Sequence, residues 1–135
     1  MELGMREREA QELDYLTMHL VMASIHESER KLETAIVEYT EVLEYDPEIF
    51  QVYVHRGRLY MRLGEFRRAL LDFERAAILE PQIASTYIMC GDAFLAAGDA
   101  ERAQQEYLKC LAMAPGNPVA AHRLESIGGT YASVA

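Results

Sequence analysis

The chain has 135 residues, half of them hydrophobic and about a quarter charged, and carries a formal net charge of −9. That length can bury a core without disulfides or metals, and the acidic balance excludes general affinity for nucleic-acid phosphates, which require clustered Lys and Arg. No run approaches the roughly eighteen apolar residues of a membrane span, and the charged start MELGMREREAQELDY lacks the apolar stretch of a secretory leader, so a cytoplasmic protein is expected.

Residues 1–15 read as a charged helical extension that precedes or prolongs the first helix of a segment covering 16–49. That segment is acidic, with Glu27, Glu29, Glu33, Glu38, Glu41, Glu44, Asp46 and Glu48 against Arg30 and Lys31. In the next segment, 50–83, the stretch QVYVHRGRLYMRL predicts a helix, because Val52, Tyr53, Arg56, Leu59, Tyr60 and Leu63 recur at three- and four-residue spacing. Gly64 is placed to end it in the left-handed backbone that helix C-termini prefer. A second helix follows with Phe66, Ala69, Leu70, Phe73, Ala76, Ala77 and Leu79 on one wide apolar face, and Pro81 closes the unit. Gly57 lies inside the first of these helices, where it costs about 1 kcal/mol relative to Ala. The expected compensation is close packing of its backbone against Ala69. The segment is basic, through Arg56, Arg58, Arg62, Arg67, Arg68 and Arg75.

Segment 84–117 repeats that pattern, and a period emerges. Pro47, Pro81 and Pro115 stand at one fixed interval, and at the same interval Ala35 becomes Ala69 and Ala103, and Tyr39 becomes Phe73 and Tyr107. Likewise Tyr53 matches Tyr87, Gly57 matches Gly91, Tyr60 matches Phe94, and Gly64 matches Gly98. In 118–129 a shorter helix is expected as a cap, with Asn117 at its N-cap, Pro118 at its first position and Gly128–Gly129 as a stop. The tail 130–135 has no assignable partner and is expected to fray. Cys90 and Cys110 fall at small apolar positions of the repeat, so buried, reduced thiols are expected.

The interval and the recurring Gly, Ala, aromatic and Pro columns resemble the tetratricopeptide repeat. The resemblance covers three repeats, 16–49, 50–83 and 84–117, within a single domain, 1–135. It implies an all-α fold, a short right-handed α-solenoid of three helix-turn-helix repeats completed by the capping helix. The first repeat departs from the pattern: Ala23 and Arg30 replace the two glycines, and His19 and His26 stand where aromatics usually sit. The two histidines are too far apart for a helical metal pair and are read as half-buried packing residues. No nucleophile elbow, phosphate loop or zinc-protease motif is present, so neither catalytic residues, metal nor cofactor is expected, and the chain is not read as an enzyme.

In the resembled family the first helix of each pair lines a concave groove that takes a partner's peptide or helix. Transferred by position, the groove comprises Leu20, Ser24, Gln51, Val54, His55, Arg58, Met61, Arg62, Ile88, Asp92 and Leu95, an apolar floor with a cationic spot. The carboxylate clamp by which some repeats hold Hsp70 and Hsp90 tails is missing: its positions carry Leu20, Ser24, His55, Ser85 and Met89. The reading is therefore a protein-binding adaptor or scaffold whose partner is another protein, presenting a peptide or amphipathic helix. Two alternatives stand beside it. One is a small chaperone for a hydrophobic client of type III secretion. The other is a homo-oligomeric scaffold joining acidic and basic segments, which salt should dissociate.

Overall fold

The computed structural model describes residues 4–128 and contains seven helices and no strand among them. It divides between Val52 and Tyr53 into two units, each with its own core.

The first unit holds α1 (Met5–Ser28) and α2 (Leu32–Tyr45). From Met5 onward the charged extension is the first half of α1 itself, begun where the Glu7 carboxylate accepts the Gly4 N–H at 3.0 Å, while residues 1–3 lie outside the described residues. The hairpin closes on Ala23 and Ala35, both fully buried, with Tyr39, Val42 and Leu43 beside them. Polar ties reinforce it: Tyr39 Oη donates to Glu27 Oε1 at 2.6 Å, and His19 Nδ1 meets Glu38 Oε2. The His19 ring also lies against that of Tyr15, with centroids 4.4 Å apart. His26 is half-buried too, but its Nδ1 has no hydrogen-bond partner among the described residues.

Arg30 occupies the turn at φ +61°, the sole non-glycine at positive φ among the described residues. Around it Lys31 N–H donates to the His26 carbonyl at 2.8 Å and Arg30 N–H to the Glu27 carbonyl at 3.0 Å, the paired bonds of a Schellman turn. Gly64 and Gly98 sit in the same bond pattern at φ +77° and +90°. The turn geometry is therefore imposed by the repeat, and Arg30 adopts it at the roughly 1–2 kcal/mol that a Cβ costs there. Arg30→Gly is expected to raise stability by about 1 kcal/mol after glycine's own entropy is deducted, read as a higher urea midpoint with an unchanged slope.

The second unit contains most of α3 (Phe50–Arg62), then α4 (Phe66–Leu79), α5 (Ala84–Ala96), α6 (Ala100–Met113) and α7 (Pro118–Ser126). Gly57 and Gly91 are packing glycines, but their partner differs from the expected alanine. A Cβ on Gly57 would lie 2.5 Å from Cε1 of Phe73, and one on Gly91 would overlap the Tyr107 ring. The aromatic column thus fills the space that the glycine column vacates, and Ala69 and Ala103 are fully buried. One core cluster gathers Ala69, Phe73, Cys90 and Ala93, and another gathers Ile88, Tyr107, Cys110, Leu111, Ala120 and Leu124. Helix α7 closes the second cluster, begun by Asn117 Oδ1 accepting from the Val119 and Ala120 amides. Gly128 follows it at φ +85°; Gly129 and the tail 130–135 lie outside the described residues. Cys90 and Cys110 are buried free thiols, and burial pushes the Cys90 thiol up to about 12.

Candidate functional site

Helices α3, α4 and α5 enclose a cleft of about 450 Å³, lined by Arg58, Met61, Arg62, Phe73, Met89 and Asp92. Arg58 and Arg62 stand one turn apart on α3 with Met61 between them, so both guanidinium groups and the thioether serve one hollow. Among the described residues neither guanidinium has an ion-pair or hydrogen-bond partner, and both side chains are exposed. Two free cations beside apolar lining can each form a charge-assisted, bidentate bond with a carboxylate. Met61 and Met89 add a soft floor that adapts to varied apolar side chains.

The reason the cations are free lies in the repeat. In α2 and α6 the aromatic column is Tyr39 and Tyr107, and each hydroxyl donates to an acid of the preceding helix: Glu27 at 2.6 Å and Asp92 at 2.5 Å. In α4 the column holds Phe73, which has no hydroxyl, and the position matching Asp92 carries Arg58. The tie is lost and the arginine is left facing the cleft.

Asp92, expected to meet ligand, is largely committed. Besides Tyr107 it accepts from Arg123 Nε at 2.9 Å, joining α5, α6 and α7. Burial, then the hydrogen bond to Asp92, push the Tyr107 hydroxyl well above its ordinary pKa, so it remains a donor. Ile88 and Val54, expected on the groove floor, are buried, Ile88 in the cluster around Tyr107. Register assigned them to the lining helix, yet their side chains turn inward. Leu95 and His55 are exposed. Leu20 is half-buried and Ser24 exposed on α1, and Gln51 is exposed at the start of α3; these three belong to the first unit. Sequence reasoning for the cleft named Arg58, Met61, Arg62 and Asp92 but passed over Phe73, whose missing hydroxyl beside an arginine was the available signal.

A profile of the tetratricopeptide repeat matches residues 20–82 and again 55–118, together most of the chain. The chain belongs to the tetratricopeptide repeat family. A mouse E3 ubiquitin-protein ligase, TTC3, is 42% identical over 52 residues, which is 38% of this chain and 3% of the ligase. The chain thus spans a very small part of that relative. Among solved structures, the first repeat domain of Spaghetti (RPAP3) bound to an HSP90 peptide superposes with a TM-score of 0.76 at 24% identity, over 90% of this chain and 95% of that one. The Yersinia enterocolitica translocator chaperone SycD does so with a TM-score of 0.76 at 16% identity, over 85% and 92%. These likenesses show the tetratricopeptide fold.

Among the described residues no group of three or more His, Cys, Asp or Glu is placed to hold a metal ion. No described helix is long and apolar enough to cross a membrane.

Proposed function

We propose that the chain is an adaptor that captures a segment of a partner protein in the α3–α4–α5 cleft, and that the segment places an acidic residue beside apolar ones. The observation carrying this reading is the pair of unpartnered guanidiniums, Arg58 and Arg62, over Met61, Met89 and Phe73. The absence of the carboxylate-clamp residues at Leu20, Ser24, His55, Ser85 and Met89 supports an internal segment over a chain-terminal carboxylate, which would lose water with little in exchange. Adaptor here means capture without chemistry, in keeping with the interaction fold.

Selection from a displayed library of short peptides tests this. Enrichment of Asp or Glu next to Leu, Met or Phe is expected. The selected peptides should bind Arg58→Glu/Arg62→Glu about tenfold or more weakly, a loss of about 1.4 kcal/mol or more, with the far-ultraviolet spectrum unchanged. Met89→Asp should weaken them comparably. Ile88 is unsuitable for this purpose, because a charge there enters the core. A library yielding no such bias, or peptides indifferent to the arginine reversal, would refute the reading.

A further inference from the structure

Arg58 and Arg62 have no counterpart in the other repeats. The matching positions are Ser24 and Ser28 one repeat earlier, and Asp92 and Ala96 one repeat later. The helical hairpin is therefore built without cations at these two columns. Both side chains are exposed, and among the described residues neither has an ion-pair or hydrogen-bond partner. Like charges one turn apart on a helix repel each other, so the pair is carried against the stability of α3.

The acid closest to the pair is already neutralised. Asp92 is the one acid among the described lining residues of the cleft. Arg123 of α7 holds both of its oxygens, Nε on Oδ1 at 2.9 Å and Nη2 on Oδ2 at 3.4 Å, and the Tyr107 hydroxyl adds a third bond. Arg123 offsets Asp92, so the guanidiniums of Arg58 and Arg62 stand over the cleft as two unopposed positive charges. A single carboxylate does not satisfy them. It brings one charge and two oxygens, which fill one guanidinium fork, and the other cation is covered by the bound segment without a substitute for its water. Two carboxylates would have to be brought together against their own repulsion. A phosphate monoester carries a charge of about −1.5 to −2 and three terminal oxygens in one group, and so serves both forks at once.

We propose, resting on the capture of a partner's segment in this cleft, that the acidic residue of that segment is a phosphorylated side chain held jointly by Arg58 and Arg62. Its apolar neighbours lie against Met61, Met89 and Phe73, and add contacts that phosphate alone lacks. Phosphorylation of the partner then switches capture on.

Synthetic libraries of short peptides test the proposal on the full chain, each with serine, glutamate, phosphoserine or phosphotyrosine at one fixed position among randomised flanks. A phosphorylated library is expected to yield peptides with Leu, Met or Phe beside the fixed residue. These should bind about tenfold or more tightly than the same sequences with glutamate, as one further charge-assisted fork predicts. Arg58→Gln and Arg62→Gln should each abolish that preference with helicity unchanged, because both side chains are exposed. Equal affinity for the glutamate and phosphorylated versions overturns the proposal and leaves the acidic-segment reading standing, whereas binding of no version overturns both. A phosphate preference that survives either glutamine variant also overturns it, as does inorganic phosphate binding as tightly as the phosphopeptide.

Discussion

Replacing Asp72 with alanine is expected to lower stability by about 3–5 kcal/mol, the cost of breaking a buried ion pair by removing one partner. Asp72 is 4% exposed on α4 and holds Arg56 of α3 in a bidentate pair, Nη2 to Oδ1 at 2.7 Å and Nε to Oδ2 at 2.9 Å. The guanidinium also lies 5.9 Å from the ring centroids of Tyr53 and Tyr60. Without Asp72 that guanidinium, whose side chain is only 18% exposed, loses both carboxylate bonds beside two aromatic rings. A loss of this size is a large fraction of the few kcal/mol to about 15 kcal/mol by which domains are stable.

Removing both charges has a different outcome. Arg56→Met/Asp72→Leu is expected to be neutral or stabilising, by up to a few kcal/mol, because neither ion then has to be desolvated. Met22 and Cys90 already occupy the Arg56 column in the other repeats. Burial pushes the Asp72 carboxyl above the ordinary carboxylate range, with Arg56 drawing it only partly back. A raised folded pKa means that the native state holds the proton more tightly than the unfolded chain does. Asp72 therefore favours folding below the unfolded carboxylate pKa, and that contribution disappears as pH rises through its folded pKa. The stability gap between the double variant and the parent should narrow as pH falls from neutrality through that window, and be flat beneath it. Urea titrations of the parent, Asp72→Ala, Arg56→Met, Asp72→Leu and the double variant at several pH values measure both effects. Additive single losses, or a double variant as unstable as Asp72→Ala, would show that the pair does not act as a unit.

The helical hairpins, their turns and the cap at Asn117 were legible in sequence because each depends on local chemistry. Three- and four-residue spacing marks a helix, a left-handed turn selects glycine, and proline refuses continuation. What escaped was decided across helices. The Asp72–Arg56 pair joins two helices of one repeat, and the acids in the Asp72 column take unrelated partners elsewhere, Glu38 meeting His19 and Glu106 meeting Lys109. No column pattern announces that exchange. The link from Asp92 to Arg123 crosses from α5 to α7. Ile88 looked like groove lining because register identifies the helix, whereas the inward turn of its side chain depends on Tyr107 and Leu111 packed against it. Arg30 shows the opposite limit: its side chain disfavours the turn, and the repeat geometry overrules the preference.

Gly91→Ala is expected to cost about 2–4 kcal/mol, more than Gly57→Ala at about 1–2 kcal/mol, although alanine is the better helix former by about 1 kcal/mol. Each new methyl collides with an aromatic ring, so the difference depends on whether the ring can move. Phe73 carries no polar anchor and can slide within its cluster. Tyr107 is fixed by its hydroxyl on Asp92 at 2.5 Å, with Arg123 on the same carboxylate. Shifting that ring sacrifices a hydrogen bond to a charged group, worth about 1.5–3 kcal/mol. The first repeat shows how an alanine is accommodated. Ala23 takes the glycine column there opposite Tyr39, yet both are buried. Tyr39 is anchored on Glu27 rather than at Ser24, the position matching Asp92, so its hydroxyl is held almost one turn further along α1. A ring anchored there leaves room for the alanine methyl. Transplanting that anchor should therefore rescue the variant: Asp92→Ser/Leu95→Glu, which copies Ser24 and Glu27, should recover part of the loss caused by Gly91→Ala while destabilising the parent. Thermal or urea unfolding of the four combinations gives the coupling, expected at about 0.5–3 kcal/mol. Equal costs at Gly57 and Gly91, or zero coupling with the transplanted acid, would mean that the Tyr107 hydroxyl does not hold the ring in place.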